Sequence, residues 1–249
     1  MSNPHQYIAL ITSLPHLGKL FSRKEVPISQ YRLRQRMAML EPGHARRLKE
    51  MVEVTAWAGV AHMENDFEVI QRAREVIHDL AEYPDLQHLV TGRMETRTLI
   101  AALRRRRNGQ DAAGAIEAWG YGRWCSMIKA NWADPAFGLG HFMPWVADAH
   151  RLIRAEDHIG MERLVLTEVF RQLDHYSIAH EFDFEAVGIY VLRWIIVERW
   201  SRYNADQARN RLKALVAEAL SPSGTAAVVQ SVSAELFTDT STSLEGVLP

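Results

Sequence analysis

With 249 residues, 47% of them hydrophobic, the chain has enough apolar side chains for a full core, which excludes a disordered or low-complexity protein. Its formal net charge of -1 supplies no overall field for nucleic acid or anionic lipid. A single cysteine, Cys125, excludes an internal disulfide framework and fits a reducing compartment, so a cytoplasmic protein is expected.

Ala, Leu, Arg, Glu, Gln and Met dominate the ordered part and strand signals are scarce, so the fold class is all-α, a multi-helix bundle over residues 1–220. The apolar run Tyr7 to Leu14 lacks a preceding basic region and does not read as a signal peptide. Pro4 opens a first helix through Ile11, which the Leu14-Pro15 step ends because the residue before proline is pushed out of the helical region. Ser29 caps a helix to Leu40, and Pro42-Gly43 separates it from one running to about Ala58. Helices are predicted over Asn65 to Ala81, Glu95 to Arg107 and Asp111 to Ile128. The stretch 131–145, NWADPAFGLGHFMPW, is rich in glycine, proline and aromatics and marks a possible break between two halves. Beyond it come Pro144 to Ala155, Gly160 to Tyr176, Asp183 to Ser201 and Ala205 to Leu220, the last with Asn204 and Gln207 resembling a capping box. Residues 221–249 turn to Ser, Thr, Ala and Gly and are expected to form a mobile tail.

The helix starting at Asp183 carries apolar residues around nearly its whole circumference from Val187 to Trp200, which places it inside a multi-helix core. Tyr190, Trp194 and Trp200 are its expected core anchors. Arg193, Glu198 and Arg199 interrupt the run, so it falls short of the roughly 18 uninterrupted apolar residues of a membrane span.

Candidate chemistry is sparse. Glu75 and His78 stand at the i, i+3 spacing that carboxylate-bridged di-metal bundles use, but the other such pair, Glu41 and His44, contains Pro42-Gly43. His175, His180 and Glu181 cluster at a helix end and read as a polar turn, without the cysteines or spaced third ligand of a metal site. Gly120, Gly122, Gly138 and Gly140 lack the lysine and remaining glycines of a phosphate loop, so no nucleotide is expected. Cys125 has no general base beside it and reads as a structural thiol. No catalytic residue, cofactor or metal is expected. Charge is unevenly spread: Lys19 to Lys49 and Arg93 to Arg107 are basic, and Glu64 to Asp85 leans acidic.

Arg104, Arg105, Arg106 and Arg107 form the sharpest surface feature. Cations at a helix C-terminus meet the helix dipole favourably, by about 0.3 to 1 kcal/mol each, which accounts for part of the run. The remainder offers planar forks to carboxylates or phosphates of a partner, and an acidic protein fits better than nucleic acid because aromatics are missing around the run. A faint echo between residues 97–111 and 190–206, each an apolar helix ending in arginines before Asn and Asp, is either an internal repeat or the ordinary likeness of two amphipathic helices.

YIALITSLP (Tyr7 to Pro15), VPIS (Val26 to Ser29), TLIAALRRRRNGQD, FMPW (Phe142 to Trp145), the Glu162 region and FDFEAVGIYVLRWIIVERW together resemble a bacterial family whose members accompany the subunits of V/A-type rotary ATPases. The resemblance covers roughly Gln6 to Leu215. At one remove it is similar to the archaeal C and eukaryotic d subunits, helical proteins that seat the central shaft on the membrane rotor ring. It departs from the family in having only Tyr7 where several adjacent tyrosines are usual, and no aromatic near Leu166. The resemblance implies a non-catalytic central-stalk subunit that supports ion transport, hydrogen ions included. It implies shaft and rotor-ring subunits as partners, and a location at the inner membrane through the complex. The alternatives are a stand-alone helical regulator or nucleic-acid-binding protein using Arg104 to Arg107 and the basic Lys19 to Lys49 segment, or an enzyme built on Glu75 and His78.

Overall fold

The computed structural model describes residues 6–22, 25–56, 65–110 and 116–219, with backbone alone for 204–212 and 214–219. Among them the chain forms ten α-helices and no strand. These are α1 (Ile8–Thr12), α2 (Gln30–Met37), α3 (Pro42–Thr55), α4 (Asp66–Asp79) and α5 (Pro84–Arg107), then α6 (Ile116–Trp119), α7 (Cys125–Ala130), α8 (Trp145–Arg154), α9 (His158–Ser177) and α10 (Phe184–Ala219). The chain divides into two compact units, Met1–Glu198 and Arg199–Pro249, so the 131–145 stretch lies within the first. The predicted start at Pro4, the helix end at Ala58 and the tail 221–249 fall outside the described residues.

Local signals account for many of the boundaries. Ser29 accepts from the Arg32 amide, Asn65 from the Glu68 amide and Asp157 from the Gly160 amide, each satisfying an N–H that the first helical turn leaves open. Pro42 and Pro84 occupy the first turns of α3 and α5, where the missing N–H costs no ladder bond.

Three expectations are corrected. α5 begins at Pro84, not Glu95. Thr91 and Gly92 weaken its local helix signal, but Leu86, Leu89, Val90 and Met94 are buried, so tertiary packing overrides propensity. The predicted helix from Asp111 to Ile128 starts outside the described residues, and from Ile116 on it is instead α6 and α7 around a turn. Gly122 there adopts φ +97°, and a Cβ on it would lie 2.4 Å from Glu95 Cγ. Finally, α10 runs unbroken through Asn204, so the supposed capping box lies inside a helix.

α5 is the central element of the first unit, packing against α3, α4, α7, α8 and α9. It carries polar groups into the interior that hang the α6–α7 turn on it. The Glu95 carboxylate accepts from the Arg123 amide (3.2 Å), and Thr98 Oγ1 accepts from the Tyr121 amide (2.8 Å). α10 approaches α5 and α3 closely at Gly188, where a Cβ would meet Leu86 Cδ2 at 2.7 Å and Met51 Cε at 3.4 Å.

The irregular stretch before α2 is held by α10. Tyr190 donates to the Pro15 carbonyl (2.8 Å) and the Trp194 indole to the Ile28 carbonyl (2.9 Å). Leu17, Ile28, Leu33 and Trp194 are buried together in a cluster that Leu14, Met37, Tyr190 and Ile195 extend. Burial pushes the Tyr190 hydroxyl up to about 12. Trp200, in the second unit, is also buried and stacks on Tyr203.

Candidate functional site

The four arginines at the end of α5 do not form one patch. Consecutive helical residues turn by about 100°, so the run points in four directions. Arg106 turns inward and donates to the carbonyls of Trp132 (3.0 Å), Asp134 and Pro135 (3.0 Å), with its guanidinium over the Phe137 ring at 4.5 Å. It also meets His150 Nδ1 at 2.8 Å. A guanidinium only donates, so this nitrogen accepts, and burial together with Arg106 and Arg154 lowers the His150 pKa. Asp134 closes the same loop by accepting from the amides of Ala136 and Gly138, both 2.8 Å, which hold its carboxyl below the usual range. Arg106 is therefore a clamp on the 132–135 loop.

Arg105 lies 3.5 Å from Asp66 and 4.7 Å over the Trp119 ring, so its charge is also engaged within the chain. Arg104 and Arg107 are the exposed members. Arg107 meets the neighbouring Asn108 side chain at 3.4 Å.

Arg93, Arg97, Arg104 and Arg105 follow one side of α5 and line a cleft of about 650 Å³. Asp66 from α4 and Glu162 from α9 line it too, over an apolar floor that includes Met161 and Val165. Asp66 pairs with Arg97 (3.2 Å) as well as Arg105, and Arg93 Nε donates to the Thr55 carbonyl (3.2 Å). Among the described lining residues, four guanidiniums face two carboxylates, so the cleft is cationic and suited to an anionic group. The basic run hints at this cleft, but Arg93 lies outside the predicted helix, and which arginines face the cleft depends on where α4 and α9 supply its other walls.

The remaining candidates separate. Glu75 pairs with Arg72 at 3.0 Å on the surface of α4, and among the described residues no second Glu/His pair joins Glu75 and His78. Cys125 is half-buried and burial raises its pKa, which disfavours the thiolate. His44 sits between two tyrosines, with Tyr7 Oη 2.5 Å from Nδ1 and Tyr83 Oη 2.6 Å from Nε2, and stacks on Phe184 at 4.2 Å. His175 and Glu181 do not join His180. That histidine instead meets Asp85, Asp183 and Glu185, a grouping that corrects the reading of a simple polar turn.

Comparison with family models, curated proteins and solved structures gives no match in any of the three.

Proposed function

We propose that this chain is a non-catalytic central-stalk subunit of a V/A-type rotary ATPase, similar to the archaeal C and eukaryotic d subunits, which couples the shaft to the membrane rotor ring. The observation that carries this reading is that segments bearing the resemblance meet one another in space. The Tyr7 amide donates to the Phe182 carbonyl (2.8 Å), Tyr190 reaches Pro15 and Trp194 reaches Ile28. Residues separated by more than 150 positions thus build one framework. The role is mechanical and needs rigidity and a docking surface but no bond chemistry.

Two further features support it. The turn at Gly120 and Gly122 has the Glu95 carboxylate against the Arg123 amide, where a nucleotide phosphate would need to sit. No helix among the described residues is long and apolar enough to cross a membrane, so contact with the membrane would come through the rotor ring. The cationic cleft, with exposed Arg104 and Arg107 at the end of α5, offers a seat for an acidic surface of a shaft or ring subunit.

The test is copurification of a tagged chain from its native membranes. ATPase subunits should accompany the wild type, and Arg104→Glu with Arg107→Glu should weaken that association while leaving the isolated protein folded. If nucleic acid accompanies the chain instead, and the double variant loses it, the protein is a nucleic-acid-binding regulator and the rotary reading fails.

A further inference from the structure

The segment between α9 and α10 brings His180 against the first turns of two helices. Asp183 caps α10, its Oδ1 accepting from the Ala186 amide at 2.8 Å. Glu185, in the first turn of α10, uses Oε1 to accept from the Asp85 and Leu86 amides of α5 at 3.0 and 3.4 Å. One oxygen of each carboxylate is thus fixed by helix amides, and the other is turned toward the imidazole. Asp183 Oδ2 lies 2.7 Å from His180 Nδ1, while Asp85 Oδ2 and Glu185 Oε2 lie 2.8 and 3.5 Å from Nε2.

Donor atoms of His180, Asp183 and Glu185 all fall within 4.8 Å of one another, and the His180 side chain is only 10% exposed. Three carboxylates against one imidazole leave an excess of negative charge even when the ring is protonated. An imidazole at the centre, addressed at both nitrogens, separates this arrangement from a patch of surface acids.

We propose that this cluster is a divalent-cation site of the zinc class. The metal bonds His180 Nε2 and the free oxygens of Asp85 and Glu185, and the Nε2 proton of the imidazolium leaves to solvent. Asp183 keeps the Nδ1–H bond that orients the ring, the carboxylate–histidine–metal relay common to such sites. Zinc bonds to nitrogen and oxygen run about 2.0 to 2.2 Å, which in a tetrahedron separates ligand atoms by about 3.3 Å. The 2.8 and 3.5 Å spacings from Nε2 to Asp85 and Glu185 bracket two of those edges, and the third, between Asp85 and Glu185, closes as the ion binds. The mixed nitrogen and oxygen donors favour zinc over calcium or magnesium, which take oxygen ligands. The bound ion would fasten the start of α10 to the start of α5, and this inference does not depend on the rotary reading.

The experiment is calorimetric titration of zinc chloride into the full, chelator-stripped chain at pH 6, in two buffers of different ionisation enthalpy. One saturable site with proton release is expected. His180→Gln should remove it, and Glu185→Gln, which keeps an acceptor for the α5 amides, should weaken it at least tenfold. Asp183→Asn, which still caps α10, should weaken it roughly 10- to 100-fold. Absence of a saturable site in the wild type overturns the proposal, and so does binding unchanged in the folded Glu185→Gln and Asp183→Asn proteins.

Discussion

At the scale of single residues, the interior is specified by polar groups with several partners each. His44 illustrates the electrostatic side. Burial foremost lowers its pKa, so the folded ring stays neutral while the unfolded ring titrates near its ordinary value of about 6.5. Below that pH the unfolded chain binds more protons, so the stability His44 contributes is complete above about pH 6.5 and is lost as pH falls through the lowered folded value. His44→Gln should therefore be less stable than wild type at pH 8, with the gap narrowing by pH 5 in urea denaturation. His180 is shifted upward and acts in the opposite sense, so variant and wild type must be compared at the same pH. An equal gap at both pH values would show that the ring is not held neutral. Arg106 illustrates the hydrogen-bonding side. Arg106→Met should cost about 2 kcal/mol by leaving loop carbonyls and His150 without their donor, whereas Arg107→Met should stay within about 0.5 kcal/mol. Equal chemical-denaturation midpoints for the two variants would remove the clamp role.

Helices show what local sequence controls and where it stops. Ser29 and Asn65 cap the helices they were expected to start, because a side-chain oxygen two or three residues before an open amide acts without help from elsewhere. The start of α5 was hidden because Thr91 and Gly92 look like poor helix, and only the partners of Leu86 and Val90 reveal why they are tolerated. The site was half legible for the same reason. A run of four arginines is plain in sequence, but which one turns inward depends on where residues 132–135 and His150 come to lie. The His180 cluster was half legible, since Asp183 and Glu185 stand close by in sequence, but Asp85 is 95 residues away, beyond any spacing rule. At Trp194, burial and an indole bond coincide, so Trp194→Ala should lower stability by about 3 to 5 kcal/mol and Trp194→Phe, which loses the bond to Ile28, by about 1 kcal/mol. Gly188→Ala should cost about 1 to 3 kcal/mol by pushing α10 against Leu86. Thermal unfolding measures both series, and an unperturbed Gly188→Ala would mean that Leu86 yields freely.

For the whole molecule, the charge balance near zero conceals a cleft where cations outnumber anions among the described lining residues. Exposed charges at the proposed docking rim act over roughly a Debye length, about 10 Å at 0.1 M salt. Association through Arg104 and Arg107 should therefore weaken as salt is raised, and the Arg104→Glu, Arg107→Glu double variant should flatten that dependence. Copurification yields at 50 and 500 mM salt measure it. A wild-type yield indifferent to salt would place the docking surface elsewhere.

The contacts between the first thirty residues and α10 also bear on how the chain matures during synthesis. Tyr7, Pro15 and Ile28 depend on Phe182, Tyr190 and Trp194, which leave the ribosome some 166 to 175 residues later. At 5 to 20 residues per second that is a wait of roughly 10 to 35 seconds. Throughout that interval Leu17 and Ile28, buried with Trp194 in the finished protein, have no partner on α10 to cover them. The nascent N-terminal segment is thus a transient target for a holding chaperone, and the emergence of α10 is the event that would release it.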